Sequence, residues 1–260
     1  MPSQILLAIV LGLIVAVASY CLRFLTASGA LATFLLAVVV FGLGGWQWTV
    51  PILTFFVSSS LWSKRGGSRK AQFELLFDKS SRRDSSQVVA NGGAAAVLVL
   101  LSSIHPLYDL YPLYLGAIAA VTADTWGTEI GLLSKGATVS LLTLKPVDRG
   151  TSGGVSENGF LAGIAGAIVI ALSGYFWYAD DRTAIVVVIA GTLGSLADSI
   201  LGGTIQGQYR CAVCGKLTER RRHCGQRTQP YRGLAVVTND VVNGACSIVG
   251  AIAVWALAFV

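Results

Sequence analysis

Eight apolar runs, separated by loops that hold almost all of the charge, restrict this chain to a lipid bilayer as its folding solvent. The runs cover residues 4–25, 29–44, 46–62, 88–104, 107–122, 159–179, 183–205 and 241–260. Hydrocarbon offers the backbone no hydrogen-bond partner, so a spanning segment must satisfy its own N–H and C=O groups, as a helix does. Roughly 17–25 helical residues cross the hydrocarbon layer. Composition agrees. Hydrophobic residues make up 54% of the chain and charged residues 12%, against roughly 25% charged in a soluble domain. The expectation is an all-α, polytopic integral membrane protein. Residues 1–260 form one transmembrane domain with about eight transmembrane helices, seven to nine being compatible. Several runs are short and interrupted by glycine, as in broken or re-entrant helices that line a protein cavity. The first run has no basic leader and no cleavage site, and is expected to be a retained span. No transit sequence precedes it, which suits a bacterial protein or the mature form of an organelle protein.

The basic residues set the orientation, because short loops rich in Lys and Arg stay on the inner side. With the amino terminus outside, Arg23 falls inside. So do Lys64, Arg65, Arg69, Lys70, Lys79, Arg82 and Arg83, then Lys135, Lys145 and Arg149. The last inner group is Arg210, Lys216, Arg220, Arg221, Arg222, Arg227 and Arg232. Arg182 alone falls outside, so 18 of the 19 basic residues share one face. Two long basic loops, 63–87 and 206–233, dominate that face. Such a surface anchors to anionic headgroups or attracts nucleotide and lipid phosphate, and both readings stand.

Nearly every polar residue with chemical potential lies at the inner end of a run. Asp124 closes the fifth, followed by Thr128 and Glu129. Asp198 lies in the inner half of the seventh, in the frame Ala197-Asp198-Ser199 that echoes Ala123-Asp124-Thr125. Gln87 and Asn91 open the fourth run, and Asp240 and Asn243 open the eighth. Ionisable groups at a membrane boundary are costly to desolvate, which makes them functional candidates. Carboxylates and amides suit Mg²⁺, so Asp124, Glu129, Asp198 and Asp240 are the candidate ligands and catalytic residues. The loop Gly150-Thr151-Ser152-Gly153-Gly154, flanked by Lys145 and Arg149, offers backbone N–H groups and positive charge to phosphate, with a helix expected from Gly159 onward. Lys145, Arg149, Thr151, Ser152, Gly153 and Gly154, with Asn91 and Asn243, form the candidate nucleotide site. In the last inner loop, Cys211, Cys214, His223 and Cys224 supply four thiolate and imidazole ligands for a structural Zn²⁺. Redox chemistry and plain reduced thiols are the alternatives there.

The segments 123–131, 150–156, 194–206 and 239–243, with the cysteine loop, together resemble one membrane-protein family. It includes phytyl phosphate kinase of plants and cyanobacteria and transmembrane protein 19 of animals. The resemblance runs over residues 87–260. More loosely, the order Asp-Thr, Gly, Lys-Pro, Ser-Gly-Gly is similar to CTP-dependent polyprenol kinases and phosphatidate cytidylyltransferases. What this implies is a membrane kinase using Mg²⁺ and a nucleoside triphosphate, CTP favoured. Its acceptor would be a prenyl monophosphate such as phytyl phosphate, and its product the diphosphate used in tocopherol synthesis. The expected partners are that lipid, the nucleotide and the membrane, with no nucleic acid. The resemblance also implies a cyanobacterial plasma or thylakoid membrane, or a plastid envelope or thylakoid, with the active face cytosolic or stromal. A lipid-phosphate cytidylyltransferase and a membrane transporter are the alternative functions.

Overall fold

The computed structural model describes residues 2–67, 70, 73, 76–79, 81–106 and 109–258. Seven helices lie among them: α1 (Pro2–Cys21), α2 (Ala27–Lys64), α3 (Ser85–Ile104), α4 (Tyr111–Leu133), α5 (Glu157–Tyr178), α6 (Asp181–Thr204) and α7 (Asn239–Ala258). The second is a hairpin of two helices joined at a single residue. Gly45 takes φ 67° and ψ −157° inside it, a backbone region open to glycine and strained for other residues. A straight helix of 38 residues would extend about 57 Å. Instead, Lys64 at its far end donates to the Leu22 carbonyl, just before its start. At the other end Gln4 Nε2 donates to the Phe41 carbonyl at 3.0 Å, so the Gly45 reversal lies beside the start of α1. The runs 29–44 and 46–62 are the two arms of this hairpin. With α2 divided at Gly45, the seven helices make eight helical segments, in keeping with about eight apolar runs.

Contacts at each end fix the direction of every segment. At the outer end the Tyr111 and Tyr114 hydroxyls donate to the Gln47 and Trp48 carbonyls. At the inner end Thr26 N–H donates to Arg83 O at 3.0 Å, and Lys79 pairs with Asp240. The first and last described residues share one end of the bundle, the outer one by the charge pattern, and the described residues of 22–26, 65–84, 134–156 and 205–238 form the opposite, inner end. The described basic residues other than Arg182 gather at that inner face, as expected. Arg69 lies outside the described residues.

Six helices are long and apolar enough to cross a membrane, α2 counted once. The exception is α4, which sits at the centre of the bundle against α2, α3, α5, α6 and α7. Its residues from Leu115 to Ala123 are all buried, on every side of the helix. A helix enclosed by protein need not be apolar toward lipid, which is why α4 can continue past the apolar run to Leu133 and carry Asp124, Thr128 and Glu129. Small residues permit this enclosure. A Cβ on Gly116 would stand 2.6 Å from the Gly250 carbonyl of α7. Large exposed side chains such as Phe176, Leu172 and Val89 form the outer, lipid-facing shell.

The inner segments are more ordered than loops. β1 (Thr138–Ser140), β2 (Pro146–Val147) and β3 (Gly154–Ser156) form a sheet in the order β2-β1-β3. β4 (Gln208–Arg210), β5 (Leu217–Thr218) and β8 (Gln229–Arg232) form a second in the order β5-β4-β8, and β6 (Arg222–His223) pairs with β7 (Gln226–Arg227). All pairings are antiparallel. Strands this short carry no readable alternation. The second sheet is bonded to the other long inner segment. Glu219 N–H and Thr218 Oγ1 both donate to the Leu76 carbonyl, at 2.9 and 2.7 Å.

Candidate active site

Two adjoining cavities occupy the inner end of the bundle, enclosing about 940 and 1100 Å³ of space partly open to solvent. Asp124, Asp198, Glu219 and Asn239 line both. Asp124 arrives on α4 and Asp198 on α6. These helices run in the same direction, which sets their two similar Ala-Asp frames side by side. The two carboxyl groups thus share one space in the cleft. Among the described residues no cation pairs with either. Asp198 Oδ2 is buried without a hydrogen-bond partner, and an unpaired buried carboxylate oxygen is costly. Oxygen ligands facing each other in this way fit a hard divalent cation such as Mg²⁺, which takes one or two carboxylates together with substrate phosphates.

The glycine loop forms the opposite wall of the first cavity. Gly150 and Gly153 take φ of 84° and 82°. Thr151 N–H donates to Asp148 O and Gly154 N–H to Thr151 O, while the N–H groups of Ser152 and Gly153 donate to no described residue. Both of these residues line the cavity beside Arg149, as do Thr151 and Gly154. A Cβ at Gly153 would stand 2.5 Å from Gly203 Cα on α6, so the loop lies directly against the helix that carries Asp198. Helix α5 begins at the same cavity, capped by Ser156, whose side chain accepts from Gly159 N–H at 3.2 Å. The helix start read from Gly159 lies two residues later than the observed one at Glu157.

The remaining candidates divide. Asn91 and Asn243 line the second cavity. Glu129 and Asp240 line it too, but each has a lysine. Lys70 Nζ lies 2.5 Å from Glu129 Oε2, and Ser63 donates to Glu129 Oε1 at 2.5 Å. Lys79 bridges Asp240 and, at 2.9 Å, Asp84. Burial opposes the charge on Lys79, but the bonds to Asp240 and Asp84 outweigh it and raise its pKa. These pairings place a cation on Glu129 and on one oxygen of Asp240, while Asp240 Oδ1, like Asp198 Oδ2, is buried without a hydrogen-bond partner among the described residues. Lys145 does not reach the site. It sits exposed at the turn between β1 and β2, where Leu144 adopts φ 54°. Chain proximity to the glycine loop suggested otherwise, but strand pairing carries the turn away from the cavity.

Glu219 is the residue that sequence reading missed. It stands beside Arg220-Arg221-Arg222, in a stretch that reads as solvated charge. The second sheet turns its side chain inward, where Oε1 accepts from Ser152 Oγ at 3.0 Å and from Gln206 Nε2 at 2.7 Å. Burial raises its pKa, and these bonds, with one from Asp78 N–H, offset part of that rise. Glu219 thus ties the glycine loop to Gln206 and lines the same cavities as the carboxylate pair.

Below the same sheet, ligand atoms of Cys211, Cys214, His223 and Cys224 all lie within 4.8 Å of one another. The Cys211 thiol is held down to about 6, first by the Cys214 backbone N–H and then by the His223 ring. Lys216 O and Gly215 N–H close the turn on Cys211, and Cys224 and Gly225 form the tip of the β6–β7 hairpin with positive φ. Three thiols and one imidazole converging from two turns fit a tetrahedral Zn²⁺.

The fold and site define a polytopic membrane protein with a polar, carboxylate-bearing cleft at one face. The chain belongs to the integral membrane protein family DUF92, whose model matches residues 10–251. It is 30% identical over 266 residues to Protein PGR of Arabidopsis thaliana, covering 92% of this chain and 91% of that one. An uncharacterized membrane protein of Synechocystis is 26% identical, over 88% of this chain and 81% of its own length. Protein VTE6, chloroplastic, of Arabidopsis thaliana is 28% identical over 70% of this chain and 56% of its own. No solved structure matches the chain significantly.

Proposed function

We propose that this protein is a membrane kinase that transfers a phosphoryl group from a nucleoside triphosphate, CTP favoured, to a prenyl monophosphate such as phytyl phosphate. The observation that carries the reading is the unpaired Asp124–Asp198 couple facing the Ser152–Gly153 backbone N–H groups across one cleft. The motif resemblance to phytyl phosphate kinase and the 28% identity to chloroplastic VTE6 support the acceptor class.

The chemistry makes modest demands on the side chains. An acceptor phosphate oxygen attacks the γ-phosphorus, a new P–O bond forms, the bond to the β-phosphate oxygen breaks, and the nucleoside diphosphate leaves. A phosphate monoester is already ionised near neutrality and needs no strong base, so the barrier is charge crowding. Arg149 and the Ser152 and Gly153 N–H groups relieve it at the donor phosphates. Asp124 and Asp198, with Glu219 adjacent, would hold Mg²⁺, which supplies charge neutralisation between the two phosphates. The cysteine cluster would hold structural Zn²⁺ and so fix the sheet that presents Glu219. The inner face would be cytosolic or stromal.

The test is purified protein in lipid nanodiscs with Mg²⁺, one of several nucleoside triphosphates, and phytyl or geranylgeranyl monophosphate, with products resolved by mass. The expected products are the prenyl diphosphate and a nucleoside diphosphate. Release of pyrophosphate with a nucleotidyl lipid would make the protein a cytidylyltransferase instead, and no transfer with any donor would overturn the reading.

A further inference from the structure

A third cavity, meeting the carboxylate cleft only at its inner end, lies between α1, both arms of the α2 hairpin and α3. It runs from Trp46 beside the Gly45 reversal down to Arg83 at the inner face, about 990 Å³ partly open to its surroundings. Its walls are almost wholly apolar, with Leu36, Ile52 and Phe56 among them. Helix α1 packs on α2 and makes no close packing with α3, which leaves the cavity a side facing the bilayer. Its inner end is polar: Arg83, Gln87 and Asn91 line both this cavity and the second carboxylate cavity.

Arg83 is an unusual cation. It is 9% exposed, and its side chain makes no hydrogen bond or ion pair with any described residue. Its ring contact is with Phe55, 5.3 Å from guanidinium carbon to centroid. Burial lowers its pKa to about 10 even with Glu129 nearby, and Lys70 already neutralises Glu129. The backbone of Arg83 is fixed: its N–H donates to Phe24 O and its carbonyl accepts from Thr26 N–H, both at 3.0 Å. A buried guanidinium left without an anion is expensive, and its planar fork of donors matches a phosphate.

We propose that this cavity holds the hydrocarbon chain of the acceptor lipid and that Arg83, at its inner mouth, binds the acceptor's phosphate monoester and presents it to the cleft. The proposal rests on the kinase reading for the identity of the lipid, but lipid binding is measured without nucleotide. Native mass spectrometry would titrate geranylgeranyl monophosphate, geranylgeraniol and inorganic phosphate onto the whole protein. Arg83→Gln is expected to weaken binding of the lipid phosphate at least tenfold and leave the alcohol unchanged. Ala37→Phe, which fills the cavity, is expected to weaken both lipids. Arg83→Lys keeps the charge without the fork and is expected to fall between. Each variant's melting temperature checks its fold. A diazirine placed on the prenyl chain reads the wild type directly and is expected to label residues 33–56. Equal lipid-phosphate binding by wild type and Arg83→Gln, or labelling confined to α4, α5, α6 and α7, would overturn the assignment. So would inorganic phosphate binding as tightly as the lipid. Tight lipid binding with no phosphoryl transfer would instead refute the kinase reading and leave this site standing.

Discussion

Asp124→Asn separates the folding role of the carboxylate pair from its chemical role, because the two effects should have opposite signs. Two full negative charges about 4 Å apart repel by about 4 kcal/mol at the effective dielectric of a protein site. Neither Asp124 nor Asp198 has a described basic partner, and Asp198 Oδ2 lacks any hydrogen bond. The asparagine amide keeps the shape, removes one charge and can donate to that oxygen. Thermal stability without added Mg²⁺ should therefore hold or rise, by about 1 kcal/mol for the new bond. Activity should fall on the order of 10²–10⁴, several kcal/mol of transition-state stabilisation, because one metal ligand is lost. A third quantity ties the two together. Mg²⁺ that binds the folded protein at 100 times its Kd stabilises it by about 2.7 kcal/mol, which the wild type should show and the variant should lack. Melting curves with and without Mg²⁺ in nanodiscs, run beside the transfer assay, measure all three. Near-normal turnover with the Mg²⁺-dependent stabilisation intact would remove Asp124 from any metal site.

Other outcomes follow from neighbouring residues. Lys70→Ala should cost about 1–3 kcal/mol of stability by leaving the half-buried Glu129 without its cation, and Lys70→Ala with Glu129→Gln should recover most of it in the same melting assay. Glu219 has a folded pKa above its ordinary 4.5, so the native state binds the extra proton and stability should fall as pH rises upward from that value. Glu219→Gln should flatten that slope in melts run without divalent cation, and an unchanged slope would assign it to another group. Cys214→Ser should lose about one zinc per chain and lower the melting temperature more than it changes nucleotide affinity; protein purified without chelators that carries no zinc would refute this. Gly153→Ala should cripple transfer, since its Cβ would meet Gly203 at a positive φ, and a crystal-clear check is whether the variant still inserts and melts as a folded protein.

The spans were legible because lipid makes them so: the apolar runs fall on the helical segments, and the boundary between runs 29–44 and 46–62 falls at the Gly45 reversal. Asp124 and Asp198 were legible for the complementary reason, as charges where hydrocarbon should be. The inner third of α4 was not, since its hydropathy falls once protein replaces lipid around it. One cause explains why Glu219 went unread and why Lys145 was expected at the cleft. Strands of two to four residues, with turns set by Gly150, Leu144 and Gly215, decide which side chains face the cleft, and neither period nor charge announces that pairing. Arg83 was visible only as one of many inner cations. Its burial depends on Phe55, 28 residues away, and on the α1–α2 turn, more than fifty residues away.

The shared direction of α4 and α6 has a genealogical consequence. Asp124 and Asp198 meet because one helix, α5, returns the chain between them. Gain or loss of a single crossing in that interval would send the two acids to opposite leaflets and abolish the site in one event. Within the stretch from α4 to α6, lineages can change the number of crossings only by twos, whereas crossings added or shed before α4 or after α7 leave the meeting of the two acids untouched. Divergence in length among relatives should therefore collect at the ends of the chain.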